Sequence, residues 1–205
     1  MDKQAKLLKL KKQLEEDKNL PLREGATQLV FGEGNPDAEI YFLGEAPGYW
    51  EDQKGRPFVG QAGKLLDELI ESIGFKRDDV YISNVVRFRP PENRDPTDSE
   101  IAAFVPYVDR EISLINPKVI VTLGRFSMGK FLPGEKISRV HGKMKKVFWK
   151  GKNTVIVPMY HPAAALRNGE VMKQLKEDFK QIPEALKNTD VEEEQKPKVE
   201  QLSLV

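Results

Sequence analysis

Four short apolar runs, at residues 39–43 (EIYFL), 80–85 (VYISNV), 118–123 (KVIVTL) and 154–157 (TVIV), are separated by stretches of helical periodicity. Aliphatic residues at consecutive positions suit strands covered on both faces, since a strand with one wet side would alternate. Such strands, alternating with helices, predict an α/β fold: a three-layer α/β/α sandwich around a central four-stranded, mostly parallel sheet. Ligands bind such sheets beyond the carboxyl ends of the strands. The loops after Leu43, Asn84, Leu123 and Val157 are therefore expected to converge.

Helices are expected at residues 3–18, where Leu7, Leu8, Leu10 and Leu14 fall near helical spacing, and at 61–73. Another follows a cap within 95–97 and turns Ile101, Val105, Val108 and Ile112 inward. A last one runs from Asn168 or Gly169 to about Leu186. Residues 145–149 and 154–157 read as a hairpin turned by Gly151-Lys152-Asn153. A single domain over residues 1–187 results. The polar, acidic residues 188–205 are expected as a disordered tail. The terminal QLSLV reads as a frayed end, with a short docking peptide as the alternative.

Charged residues make up 32% of the chain, and no apolar run approaches the length of a membrane span. The N-terminus has no signal-like apolar stretch, so a cytoplasmic monomer without membrane association is expected. Cysteine is absent, which excludes disulfides, thiol catalysis and cysteine-held zinc or iron. The net charge of +1 conceals an asymmetry, because residues 118–169 hold eleven Lys and Arg against the single acid Glu135. A basic stretch of this kind reads as a face for nucleic acid, with a Lys-rich solvent face as the bland alternative.

Each strand end carries an unusual residue set. Gly44-Glu45-Ala46-Pro47-Gly48 lets backbone amides approach a ligand, with Glu45 at the strand mouth, though such turns are common. Phe58, within Gly55-Arg56-Pro57-Phe58-Val59-Gly60, reads as a core aromatic or a stacking platform. Asn84 ends the second strand. Its amide donates and accepts at once, so it can match a ligand edge that offers one acceptor and one donor and reject an edge of the reversed polarity. A buried mismatch of that kind costs a few kcal/mol. The alternative is an Asn that merely ends a strand. His161, in YHPAAALR, reads either as a structural histidine or, following the last strand and preceding a proline, as a donor for negative charge building on a leaving group. His141, in a basic loop, reads as surface or phosphate-facing.

Taken in order, FGEGNPDAEI, GEAPG, GRPFVGQAGKLLDELI, NVV-R-RPPENRDPT, PKVIVTLGR and HPAA-LR resemble the family 4 uracil-DNA glycosylases over roughly residues 20–180. The resemblance implies a monofunctional base-excision enzyme that flips deoxyuridine from single- or double-stranded DNA and hydrolyses its glycosidic bond. It places Glu45 and Ala46 along the uracil pocket, Phe58 against the base, Asn84 on its polar edge and His161 on O2. Leu166 and Arg167 would fill the gap in the duplex, and Pro90, Pro91 and Arg125 would touch the backbone. Glu45 is left as a base, a water-positioning group or a wall of the pocket. A glycosylase for hypoxanthine or xanthine, and a DNA binder without catalysis, are the alternatives.

The family's four cysteines hold a [4Fe–4S] cluster, and alignment of the motifs puts Asp17, Leu20, Phe88 and Phe104 in their places. None is a good iron ligand, so no cofactor is expected. Leu20, Phe88 and Phe104 are expected to pack together there, contributing roughly 1.5–3 kcal/mol each.

Overall fold

The four apolar runs form strands, and two further strands join them at the sheet edges. The structure, a computed structural model, describes residues 2–194, with side chains as far as Thr189. Strands β1 (Glu33–Gly34), β2 (Ile40–Gly44), β3 (Tyr81–Asn84), β4 (Val119–Leu123), β5 (Lys145–Trp149) and β6 (Lys152–Met159) form one sheet, in the order β1-β3-β2-β4-β6-β5. Neighbours among β3, β2, β4 and β6 run parallel. β1 and β5 pair antiparallel at the two edges. The expected four-stranded sheet is thus the centre of a six-stranded mixed one. β1 left no pattern because it spans two residues, one of them a glycine at φ 126°. The hairpin ladder starts earlier than expected, with Lys152 opposite Trp149. Its turn is Lys150-Gly151, both at positive φ, which matches the right-handed twist of the two arms.

The helices are α1 (Lys3–Glu16), α2 (Tyr49–Lys54), α3 (Gln61–Ser72), α4 (Asp98–Ile115), α5 (Arg125–Gly129), α6 (Ile137–Val140), α7 (Pro162–Ala165), α8 (Gly169–Phe179) and α9 (Gln181–Glu194). Side chains of a strand alternate between faces, and here both faces are covered. Ile40 and Phe42 of β2 meet Leu66 and Ile70 of α3 and Phe179 of α8. Tyr41 and Leu43 turn the other way, toward Leu10 and Leu14 of α1 and Phe104, Val108 and Ile112 of α4. That second layer also holds a fully buried ion pair, Arg87 to Glu111 at 2.7 Å, with Tyr41 donating to the same carboxylate. Removing one partner of such a pair leaves a buried charge uncompensated. The pair therefore ties the chain after β3 to α4 in one register.

The last helix is two helices. Pro183 has no N–H to give the Phe179 carbonyl, so the chain breaks at Lys180 and restarts with Pro183 in the first turn of α9. Ile182, Ala185 and Leu186 are buried and anchor that restart. Residues 188–194, expected within the disordered tail, continue α9. QLSLV lies outside the described residues. Among the described residues no helix is long and apolar enough to cross a membrane.

The basic stretch 118–169 does not make one face. Lys118 pairs with Glu39 and Lys152 donates to Asn116, all at the amino ends of the central strands. Arg125 and Arg167 follow the carboxyl ends of β4 and β6. Parallel strands send the start and end of this stretch to opposite rims of the sheet.

Candidate active site

Loops following β2, β3 and β6 enclose a cavity of about 470 Å³ at the carboxyl ends of the strands. Glu45, Ala46, Phe58, Asn84, Pro90, His161 and Arg167 all line it. The loop after β4 backs the wall instead: a methyl on Gly124 would lie 3.2 Å from His161 Cβ, and Arg125 pairs with the pocket residue Asp95. Pro91 and Leu166 do not line the cavity; both are exposed, and each immediately follows a residue or turn that does.

Gly44 and Asn84 lie side by side at the ends of β2 and β3. A methyl on Gly44 would overlap Asn84 Oδ1 and sit 2.5 Å from the Phe58 ring. Glycine here lets amide and aromatic ring meet over the strand ends. Asn84 is buried, and its Oδ1 has no hydrogen-bond partner among the described residues. A buried acceptor left unmatched costs free energy that a ligand's N–H would recover.

Phe58 is both core aromatic and pocket wall. It is buried in the cluster with Leu66 and Ile70, and its ring stacks on His161 at 5.6 Å. Its φ of 50° lies in the left-handed region, where a bulky side chain needs outside support. Arg77 supplies it, donating to the carbonyls of Pro57 at 2.6 Å and Phe58 at 3.2 Å. Glu33 and Asp67, each 2.6 Å away, hold the same guanidinium. Glu51 steadies the other side, accepting from the amides of Val59 at 2.9 Å, Gly60 at 2.8 Å and Gly48 at 3.2 Å. Neither residue was evident from sequence motifs; the spacing from Gly48 to Glu51 was the one available signal, that of a helix cap. Replacing Arg77 by alanine is expected to lower the single-turnover rate on bound substrate about 10- to 100-fold, because Phe58 loses its position. Lysine, which lacks the planar fork, should restore only part of it. An unchanged rate in Arg77→Ala would remove this residue from the site.

Two titratable groups are displaced in opposite directions. Burial holds the His161 imidazole down to about 4, aided by Arg167 and opposed by Glu51. His161 Nδ1 accepts from the Ala163 amide at 3.1 Å, so the ring proton resides on Nε2. The ring is therefore a neutral donor at pH 7. Burial pushes the Glu45 carboxyl up to about 7, with Asp95 adding to the rise and Arg125 opposing it. His141 is part-buried rather than a free surface side chain. Its Nδ1 lies 2.8 Å from Asp178, and its ring packs 4.7 Å from Tyr160, bracing the chain behind His161.

The model of the uracil DNA glycosylase superfamily matches residues 31–187. A type-4 uracil-DNA glycosylase of Sulfurisphaera tokodaii is 50% identical over 186 residues, 87% of this chain and 84% of that protein. Its namesake in Saccharolobus solfataricus is 50% identical over 163 residues, 77% of this chain and 76% of that one. This chain belongs to the type-4 uracil-DNA glycosylases. A further member, from Archaeoglobus fulgidus, is 48% identical over 168 residues, 80% of this chain and 84% of that protein.

The iron–sulfur cluster of type-4 uracil-DNA glycosylases does not fit the residues present here. Leu20, Phe88 and Phe104 are buried hydrocarbon in one cluster, with the two rings 6.2 Å apart. The Asp17 carboxylate already accepts from Tyr107 Oη at 2.6 Å and from the Asn19 amide at 3.0 Å. Among the described residues no group of three or more candidate ligands is placed to hold a metal ion.

Proposed function

We propose that this chain hydrolyses the N-glycosidic bond of deoxyuridine in DNA, releasing uracil and leaving an abasic site. The buried, unpartnered Asn84 Oδ1 in the cavity wall carries this reading. Uracil's N3–H matches it, while the Asn84 amide N–H meets O4. The nucleotide must leave the stack to reach this depth, at a cost of a few kcal/mol. Leu166, 48% exposed on the loop that carries His161, is shaped to occupy the gap, with Arg167 beside it on the cavity rim. As the bond lengthens, negative charge grows on uracil O2 and positive charge on the sugar. The neutral His161 Nε2–H donates to the first, and the Glu45 carboxylate faces the second and orients the attacking water. Among the described residues no lysine lines the cavity, so a Schiff base and strand cleavage do not follow.

Uracil-containing single- and double-stranded oligonucleotides, treated with alkali after incubation, test the reaction. Cleavage at uracil that disappears in Asn84→Ala is the expected result. Cleavage confined to deaminated purines would overturn it, as would binding without cleavage.

The pH dependence follows from Glu45. Below about 7 its carboxyl is protonated, and above that value it is ionised. The excision rate is therefore expected to rise with pH through about 7 and then level. Arg125→Ala should move the midpoint up and Asp95→Asn should move it down, since these groups act on Glu45 in those senses. A rate that falls through the same range would assign the work to the protonated acid.

Arginines at the cavity end, rather than the whole basic stretch, should carry the salt dependence of DNA binding. Arg125→Ala and Arg167→Ala are each expected to reduce the slope of log affinity against log salt by about one. Lys118→Ala, at the opposite rim beside Glu39, should leave the slope as it was. Equal effects from all three would restore a single basic face.

A further inference from the structure

Two large aromatic side chains stand in solvent at the cavity mouth, where neither the fold nor the proposed chemistry uses them. Tyr49 is 48% exposed and Trp50 is 55% exposed. They open α2 between Gly48 and Glu51, both of which line the cavity. The rings meet edge to face at 5.1 Å, with an interplanar angle of 80°. Trp50 also lies along the Gly60 backbone, since a methyl on Gly60 would sit 3.6 Å from its Cδ1. The Arg89 guanidinium covers Tyr49 at 5.2 Å, and its Nε donates to the cavity residue Asn93 at 2.7 Å. The pair is therefore braced from two sides, and the indole keeps an open face.

Contiguous exposed apolar side chains rimmed by polar groups mark a binding surface, whereas single ones need no explanation. Here the chemistry around them names the ligand. Arg89 and Arg167 stand at the same mouth, two guanidinium groups suited to a phosphate backbone, while Arg94 beside them is already paired with Glu100 at 2.5 Å. Every nucleobase presents a flat π face that stacks on an aromatic side chain, provided the base is unpaired. The aromatic pair and Arg89 follow β2 and β3, whereas Leu166 and Arg167 follow β6. The extruded nucleotide thus lies between a side that fills the duplex gap and a side that offers a stacking surface.

We propose that Trp50, braced by Tyr49 and Arg89, stacks on an unpaired base adjoining the extruded deoxyuridine and so favours single-stranded DNA. This rests on the cavity being the uracil site. The platform reads the neighbour's π face, not its hydrogen-bonding edge, so it tolerates any base in that position. Arg89 holds the adjoining phosphate as well as the Tyr49 ring.

The test is a double-mutant cycle on binding, using single-stranded oligonucleotides that carry 2′-fluorodeoxyuridine. The fluorine withdraws electrons from the sugar and blocks hydrolysis, so affinity is read without turnover. One oligonucleotide has normal neighbours, and two others have an abasic residue on one side or the other of the uracil. Trp50→Ala is expected to weaken binding of the first roughly 5- to 150-fold. On one of the abasic oligonucleotides the same substitution should cost little, because its stacking partner is already gone. The matching duplex, whose neighbours are paired, should show a smaller loss than the single strand. Additive losses on both abasic oligonucleotides, or equal losses on single strand and duplex, would overturn the platform. Alkali cleavage of ordinary uracil oligonucleotides separates the two readings. Coupling without uracil release would leave the platform and remove the reaction, and release without coupling would do the reverse.

Discussion

Replacing His161 by alanine is expected to lower the single-turnover rate of uracil release by about 10²–10³-fold, the usual consequence of losing one donor to a developing anion. The expectation follows from the tautomer. Nδ1 is committed to the Ala163 amide, so Nε2 carries the proton and the ring has one N–H to offer. Burial keeps the imidazole neutral down to about 4. A neutral donor strengthens its bond as charge collects on O2, and its contribution is therefore larger in the transition state than in the bound substrate. Substrate affinity should change much less than the rate, which a fit of rate against enzyme concentration will separate. Above about pH 5 the profile of the parent enzyme should show no ionisation belonging to His161. The substitution also removes the side-chain cap of α7, worth on the order of 1 kcal/mol, so a thermal melt belongs beside the kinetics. A rate within threefold of the parent would exclude His161 from stabilising the leaving base.

The convergence of loops was legible because strand ends are marked twice, by the end of an apolar run and by the glycine or amide that follows. Gly44 and Asn84 show why the marking works: their adjacency in the parallel register is what brings two distant motifs to one point. Arg77 was not legible. It acts on the Pro57 and Phe58 carbonyls from some twenty positions away, and hydrophobic periodicity records nothing about bonds from a side chain to a remote backbone. The six residues of α2 also escaped notice, because Tyr49–Lys54 has no apolar stripe and is fastened by Glu51 instead. Charge counted along the chain misled for a related reason. A parallel sheet returns each segment to the far rim, so Lys118 and Arg125, seven positions apart, face opposite ends. The break at Lys180 was readable in principle, since Pro183 announces it.

Where the relatives' cluster would join the N-terminal segment to α4, Phe104→Ala is expected to cost about 3–5 kcal/mol of folding stability. Phe104 is fully buried and sits in one cluster with Leu20, Phe88 and the α1 residues Leu7, Leu10 and Leu14. Truncation removes the ring that Phe88 packs on and leaves a cavity that this many fixed neighbours cannot close. Two polar links frame the same spot. Arg23 donates to the carbonyls of Leu14 at 2.7 Å and Glu15 at 2.8 Å, closing the end of α1, while its guanidinium lies 4.9 Å over the Phe88 ring. Tyr107 of α4 donates to Asp17 just beyond that helix end. Packing and these links together connect α1, the chain after β3 and α4, which is the set of segments a four-cysteine cluster would connect. Equilibrium denaturation of Phe104→Ala reads the loss, and iron analysis of the purified parent chain reads the replacement. A loss below about 1 kcal/mol would place Phe104 among ordinary surface-like substitutions and sink the substitution of packing for metal. Iron bound in stoichiometric amount would do the same. The loss should also reach the cavity, because Phe88 anchors the segment that carries Pro90, Asn93 and Asp95 to its wall. Phe104→Ala is accordingly expected to weaken substrate binding before it slows the bond-breaking step, the order that distinguishes a loosened wall from a missing catalytic group.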